Sequence, residues 1–221
     1  IVAFFGAPIE VDDHELWACR TAIKMQDNLA ILRQGWRDEG DRWPEIVHNM
    51  QNRIGISSGQ MVTGNMGSES RMNYTMMGDN VNTAARLESS AKQYGVYIQI
   101  ADSTYQAVKE KVVVRDLDNV VVMGKNEPVK VWELISEIGQ EPDQYKKILP
   151  AYHEALDLYK NQEWSKAIDA FKASDELEEM FGGRKTNPSR IYIPRCEHYQ
   201  ENPPENRDCS LVVKKKILSI M

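Results

Sequence analysis

Three things are scarce in this 221-residue chain, and each scarcity excludes a class of protein. Cysteine comes first: Cys19, Cys196 and Cys209 are widely spaced and include no CxxC pair. That removes a disulfide framework and a zinc site, and it fits a reducing, cytosolic compartment. Long apolar runs come second. None approaches the ~20 residues that span a bilayer, and no charged lead precedes an apolar core at the start. Net positive charge comes third: 27 Lys and Arg against 33 Asp and Glu leave a formal charge of -6. A general nucleic-acid binder needs the opposite sign, so nucleic acid is excluded as a partner and an anionic substrate must find local Arg, Lys or metal ions.

What is present is the composition of a folded domain. With 42% hydrophobic and 27% charged residues, the chain can bury one substantial core and a smaller one beside it. IVAFFGAP opens as an apolar run turning at Gly6, Ala7 and Pro8, which predicts a strand. A start without polar lead-in reads as the beginning of a fragment. Asp12 and Asp13 offer cap chemistry to a helix reaching about Leu32, with Leu16, Cys19, Ile23 and Leu29 on its apolar face. Residues 34–52 carry Gly35, Gly40 and Pro44 as breakers and are expected to form a loop insertion pinned by Trp36 and Trp43.

The stretch from Arg53 to Ser89 is the most informative. Alternation around Ile54 and Ile56, then glycines at 55, 59, 64, 67 and 78, predict a strand, a turn and a second strand, followed by a helix capped by Asp79 or Asn80. On that helix Asn82 and Arg86 are four residues apart and share a face, while Val81, Ala84, Ala85 and Leu87 supply packed faces. An amide beside a guanidinium past a glycine turn suits a phosphate and sugar reader; the same pair is also what a solvated helix face carries. Gly95 closes the helix, VYIQIA is a strand, and Asp102 or Ser103 caps a short helix through Val108. Strands VVVRDL and NVVVM follow, then the turn GKNEP and a last strand VKVWELI with Pro128 at its start. The fold class is therefore α+β: a mixed α/β sandwich with helices packed on a mostly antiparallel sheet, followed by an α-helical hairpin.

Composition changes after Ser136, dividing the chain into 1–136, 137–181 and 182–221. In the middle part Tyr152, Ala155, Leu156 and Tyr159, a break at Asn161 and Gln162, then Trp164, Ala167, Ile168 and Phe171 give helical spacing that resembles one tetratricopeptide unit. One unit cannot bury both faces alone, so it packs on the main domain or a partner, or offers a face to a peptide. The last part is polar and Pro-bearing; within it Ser189 to Tyr199 reads as a short helix covering the hairpin, and Lys214 to Lys216 as a solvated face.

Three separated runs, NYTMMGDNVNTAARLE, RIGISSGQMVTGNMG and IVAFFGAP, resemble the class III nucleotidyl cyclase catalytic domain, the family of adenylate and guanylate cyclases, over about residues 1–135. The resemblance implies attack of a ribose 3'-hydroxyl on the α-phosphate of ATP, giving 3',5'-cyclic AMP and pyrophosphate. Arg86 matches the family's transition-state arginine and Asn82 its ribose-holding asparagine. Thr75 matches the purine-reading position, where a hydroxyl accepting from the adenine amine favours ATP; threonine there is similar to the subclass that includes bicarbonate-responsive cyclases. In many relatives the turn before the last strand reads KGK. Here it is Met123, Gly124 and Lys125, so Lys125 either reaches the triphosphate or is an ordinary turn lysine.

The family's two metal-binding aspartates and its adenine-reading lysine fall upstream of Ile1. The resemblance thus implies two Mg²⁺ or Mn²⁺ ions with no metal ligand in this chain, a cyclase domain over 1–136 lacking its N-terminal strands, and a homodimer whose shared site takes only the Asn and Arg half from these residues. The segment alone is expected to be inactive. The C-terminal pieces are similar to the extension in certain membrane-anchored bacterial cyclases with a sensory domain, which implies a cytoplasmic catalytic region and admits an upstream membrane or sensor domain in the parent. Guanylate cyclase and a non-catalytic dimerisation or signalling module are the alternatives.

Overall fold

Alternation along the central strands sends side chains to two faces, and helices cover both. The computed structural model describes residues 1–120, 129–178 and 184–204. Its main sheet has the order β1-β4-β6-β5, built from β1 (Ile54–Ile56), β4 (Ile98–Ala101), β5 (Val112–Val120) and β6 (Val129–Glu137). The β1–β4 pair is parallel, and β4–β6 and β5–β6 are antiparallel. On one face Ile98, Ile100, Val112 and Leu134 meet Leu16, Cys19 and Ala22 of α1 (His14–Asp38). Helix α4 (Asp102–Val108) joins that layer: Tyr105 stacks on Trp132 with centroids 4.0 Å apart, and Trp132 donates to Asp102 at 2.9 Å. On the other face Ala101, Leu117 and Val131 pack against Leu87, Ala91 and Tyr94 of α3 (Asp79–Tyr94). The mixed α+β sandwich expected from the sequence is the architecture found.

Gly55 explains why α3 can lie so close to β1. A Cβ built on it would stand 2.1 Å from the Ala84 carbonyl oxygen and 2.4 Å from the Glu88 nitrogen, so only glycine fits. Gly95 ends α3 with φ +66, as its sequence position foretold.

Several local expectations are corrected. IVAFFGAP forms no strand: residues 1–10 have no regular structure, and Phe4 instead rests 6.0 Å from Tyr74. A strand needs a ladder partner, and none is present for it among the described residues. Helix α1 runs to Asp38 rather than Leu32, followed by a 3-10 turn at Gly40–Arg42 and the short α2 (Glu45–His48), so residues 34–52 are half helical. Gly35 sits on an open helix face, where it costs only ~1 kcal/mol, and Arg37 ties the end of α1 to the His48 carbonyl at 3.0 Å. Trp36 and Trp43 do pair across this region, 6.2 Å apart.

Between β1 and α3 there are two strands, not one: β2 (Val62–Ser68) and β3 (Arg71–Met77) form a separate antiparallel ribbon. VVVRDL and the start of NVVVM belong to a single β5. Asp13 holds the N-cap position of α1 with φ 54 and makes no side-chain cap; its carboxylate pairs with Lys111 at 2.8 Å. The caps of α3 and α4 are Gly78 and Ala101, without side-chain caps. Met123, Gly124, Lys125, Pro128, Cys209 and Lys214 to Lys216 lie outside the described residues.

The C-terminal helices α5 (Tyr145–Lys160), α6 (Trp164–Leu177) and α7 (Pro188–Glu201) bury a shared aromatic core of Tyr152, Tyr159, Phe171 and Tyr192. Helix α7 lies on the hairpin as the sequence suggested. The hairpin face that carries Tyr152, Tyr159 and Phe171 is thereby covered within the chain.

Candidate active site

The geometry begins at the loop after β1. Asn80, in the first turn of α3, leaves the helix to donate from Nδ2 to the Gln60 carbonyl at 3.1 Å and to accept from the Ser57 hydroxyl at 3.2 Å. Gly59 takes φ +153, a conformation that side-chain-bearing residues rarely adopt, and its built Cβ would also lie 2.3 Å from Asn80 Nδ2, so a larger residue would push the clamp open. From the other side Ser103 Oγ donates to the Ser58 carbonyl at 2.8 Å, and the Ser58 and Thr104 hydroxyls share a hydrogen bond of 2.9 Å. Loop 57–60 is therefore clamped between the starts of α3 and α4. Sequence reading saw Asn80 only as a cap; its signal is the pairing of Asn80 with a glycine twenty-one residues earlier, which no local pattern reveals.

Beyond that clamp α3 presents Asn82 and Arg86 on one exposed face, as their spacing predicted. Neither side chain has a hydrogen-bonding or ion-pair partner among the described residues, whereas Arg53 on neighbouring β1's lead-in already reaches Glu88 at 3.9 Å. Thr75 is half-buried on β3, opposite Gly64 in the ribbon's register, and Gly78 (φ +151) turns the chain from that strand directly into α3. Thr75 and the Asn82–Arg86 face thus lie on the two arms of one strand–turn–helix unit. Lys125, the fourth candidate, is outside the described residues.

The ribbon carries a second feature. Val62, Met72 and Met77 are 66%, 63% and 61% exposed, and Tyr74 is exposed beside them. A two-stranded ribbon with this much uncovered apolar surface is marginal by itself. Among the described residues no three His, Cys, Asp or Glu side chains converge on a point where an ion could sit, so these residues gather no full ligand set for a divalent cation.

Comparison with known proteins assigns the class. The sequence model for the Adenylate and Guanylate cyclase catalytic domain matches residues 2–136. The chain is 34% identical over 184 residues to the terminal-differentiation specific adenylate cyclase of Dictyostelium discoideum, covering 81% of this chain and 8% of that protein. It is 30% identical over 138 residues to adenylate cyclase 1 of Rhizobium meliloti, covering 62% of this chain and 20% of that one. Among solved structures it is similar to the adenylyl cyclase CyaB from P. aeruginosa, with TM-score 0.53 and 30% identity over 62% of this chain and 68% of that chain. It is also similar to the guanylyl cyclase Cya2, with TM-score 0.50 and 31% identity over 62% of this chain and 65% of that chain.

These residues therefore form a class III nucleotidyl cyclase catalytic domain, and the chain belongs to the adenylate and guanylate cyclase family. It spans only a small fraction of the two curated relatives' length, and the 184-residue match runs past the stretch that the family model covers, into the helical part. No helix among the described residues is long and apolar enough to cross a membrane.

Proposed function

We propose that this chain supplies the ribose- and charge-reading half of an adenylate cyclase site, in a protein that converts ATP to 3',5'-cyclic AMP and pyrophosphate. The observation that carries the proposal is the pair Asn82 and Arg86: exposed, on one face of a rigid helix, and without partners among the described residues. In the reaction the ribose 3'-hydroxyl loses its proton and its oxygen bonds to the α-phosphorus as the bond to the pyrophosphate oxygen breaks. Charge builds on the α-phosphate oxygens and on the leaving group. Arg86, always protonated and planar, suits the multi-oxygen anion, and Asn82 holds the ribose so that the hydroxyl meets phosphorus in line. Thr75 accepts from the exocyclic amine of adenine, and Lys125 either reaches the triphosphate or is an ordinary turn lysine. Mg²⁺ or Mn²⁺ is the metal expected for the family; among the described residues no group of three potential ligands is gathered to hold it.

On this reading the site lies between two copies of the full-length protein. An exposed Asn–Arg face and an exposed apolar ribbon immediately before it are the surfaces that such a homodimer would join, covering Val62, Met72 and Met77. The similarity to a guanylyl cyclase keeps GTP as the alternative substrate.

The test is cyclic nucleotide production by the full-length protein from ATP and, separately, from GTP. Arg86→Ala is expected to lose about 10² to 10³ in turnover, by analogy with loss of one oxyanion donor, with its circular dichroism unchanged. Wild-type-like turnover in that variant sinks the assignment, and preferential cyclic GMP formation replaces ATP by GTP.

A further inference from the structure

The C-terminal end of α3 is tied to the helical part of the chain by a set of contacts that the catalytic reading does not use. Tyr94, the last residue of α3, is buried and donates its hydroxyl to Asp118 Oδ2 at 2.8 Å. The same carboxylate oxygen receives Arg195 Nη1 of α7 at 2.7 Å. Just past the helix, Arg184 Nε donates to the Gly95 carbonyl at 3.1 Å, and Thr186 presses so close that a Cβ on Gly95 would lie 1.9 Å from its carbonyl oxygen. Arg184 then reaches Glu178 at 3.0 Å. Asp118 and Leu117 sit at a β-bulge, where the register passes from Asp116↔Trp132 to Asp118↔Val131 and leaves Leu117 without a cross-strand partner; its carbonyl accepts from the Tyr192 hydroxyl of α7.

We propose that Arg195, acting through Asp118 and Tyr94, and Arg184, acting through the Gly95 carbonyl, are positioning residues that fix α3 for the reaction. Resting on the reading of Asn82 and Arg86 given above, this makes the helices after residue 137 a working part of the catalytic unit. The physical argument is one of leverage. Helix α3 is held at its start by Asn80 and in its middle by the tight contact at Gly55, and both holds are local to β1 and its loop. Rotation about the helix axis is resisted where side chains are gripped from outside: Asn80 in the first turn, Ser90 by Gln99 of β4 at 2.9 Å, and, at the far end, Tyr94 by a carboxylate that Arg195 in turn fixes. Arg86 lies two turns before Tyr94 on the same rigid rod, so a small rotation at one end displaces the guanidinium by a similar angle. Misplacing a charge-stabilising group acts on turnover more than on ground-state binding.

The experiment pairs hydrogen exchange with kinetics on the full-length protein. Arg195→Met and Tyr94→Phe are each expected to raise amide exchange in residues 86–95 about tenfold or more, as the loss of a hydrogen bond to a charged group allows. They should lower kcat about tenfold and leave KM within about twofold, with Arg195→Lys recovering part of both effects. Should Arg195→Met fail to fold, the milder Tyr94→Phe carries the same test. Unchanged exchange in 86–95, or faster exchange spread evenly over the sheet, overturns the proposal, as does a change in KM alone. Arg86→Ala serves as the separating control: it should silence turnover while leaving exchange in α3 as in the wild type. If it retains turnover, the catalytic reading fails, yet the exchange arm still reports on the tie.

Discussion

Helix α3 treats its two halves differently. The first presents Asn82 and Arg86 to solvent with no partner among the described residues, whereas the second buries Leu87, Ala91 and Tyr94 and ends in a fixed hydroxyl. The difference teaches how a binding surface can be rigid without being occupied. A side chain that must grasp a ligand cannot also satisfy an internal contact, so its placement is secured through the backbone it hangs from. The order is then provided elsewhere: by Asn80 on the loop, by Gly55 under the helix, and by the helical part at its far end.

The strongest way to break this contrast is at the buried charges beneath the helical part. Arg115 is fully buried and bridges Glu133 at 2.6 Å and Glu178, while Arg184 holds Glu178 from the other side at 3.0 Å. Burial opposes the charge on Arg115, but the carboxylates of Glu133 and Glu178 outweigh it and hold the guanidinium above its ordinary pKa. Removing it strands the Glu133 carboxylate in the interior and leaves Glu178 with Arg184 alone. Arg115→Ala is expected to cost ~3–5 kcal/mol in a urea melt, and to release the helical part before the sheet unfolds. A loss below ~1 kcal/mol would show that the network is dispensable.

A smaller break targets the middle of α3. Gly55→Ala places a methyl group 2.1 Å from the Ala84 carbonyl oxygen, backbone against backbone, with no flexible side chain to yield. Overpacking of this kind costs ~1–3 kcal/mol. The same melt measures it, and a neutral result would mean that α3 shifts freely on β1, contrary to the rigidity argued above.

The parts of this architecture that the sequence disclosed are those written in local periods. Helix α3 lies between Gly78 and Gly95 as its glycines mark it, and the apolar spacing of Tyr152, Tyr159 and Phe171 foretold the buried face of the hairpin. The face shared by Asn82 and Arg86 was legible for the same reason. What escaped was set by partners distant along the chain. IVAFFGAP has strand composition, yet without a neighbouring ladder it stays irregular, and Gly67, which marks the turn between β2 and β3, was one of five closely spaced glycines whose separate turns no local pattern distinguished. Arg115 in a strand reads as a solvent-facing residue; only Glu133 and Glu178, eighteen and sixty-three residues away, make it an interior one. Asn80 passed for a cap because its partner Gln60 lies twenty residues back.

The mildest probe of the contrast is pH, read through His153 of α5. This imidazole is half-buried on the hairpin, with Asp116, Asp157, Arg115 and Lys160 around it. Burial lowers its pKa; Asp116 and Asp157 oppose the shift, and Arg115 and Lys160 add to it, leaving it below the ordinary 6.5. In the unfolded chain the group titrates near 6.5, so between the two values the unfolded state binds more protons. Stability is therefore full above about pH 6.5 and declines as pH falls from there to the folded pKa, where it levels off. His153→Gln should flatten that part of the curve while leaving exchange in the first turns of α3 unchanged. Urea midpoints at pH 7.5 and 5.5, compared between the two proteins, measure the effect. An equal fall in both would assign the acid sensitivity to other groups and leave the docking of α5 independent of His153.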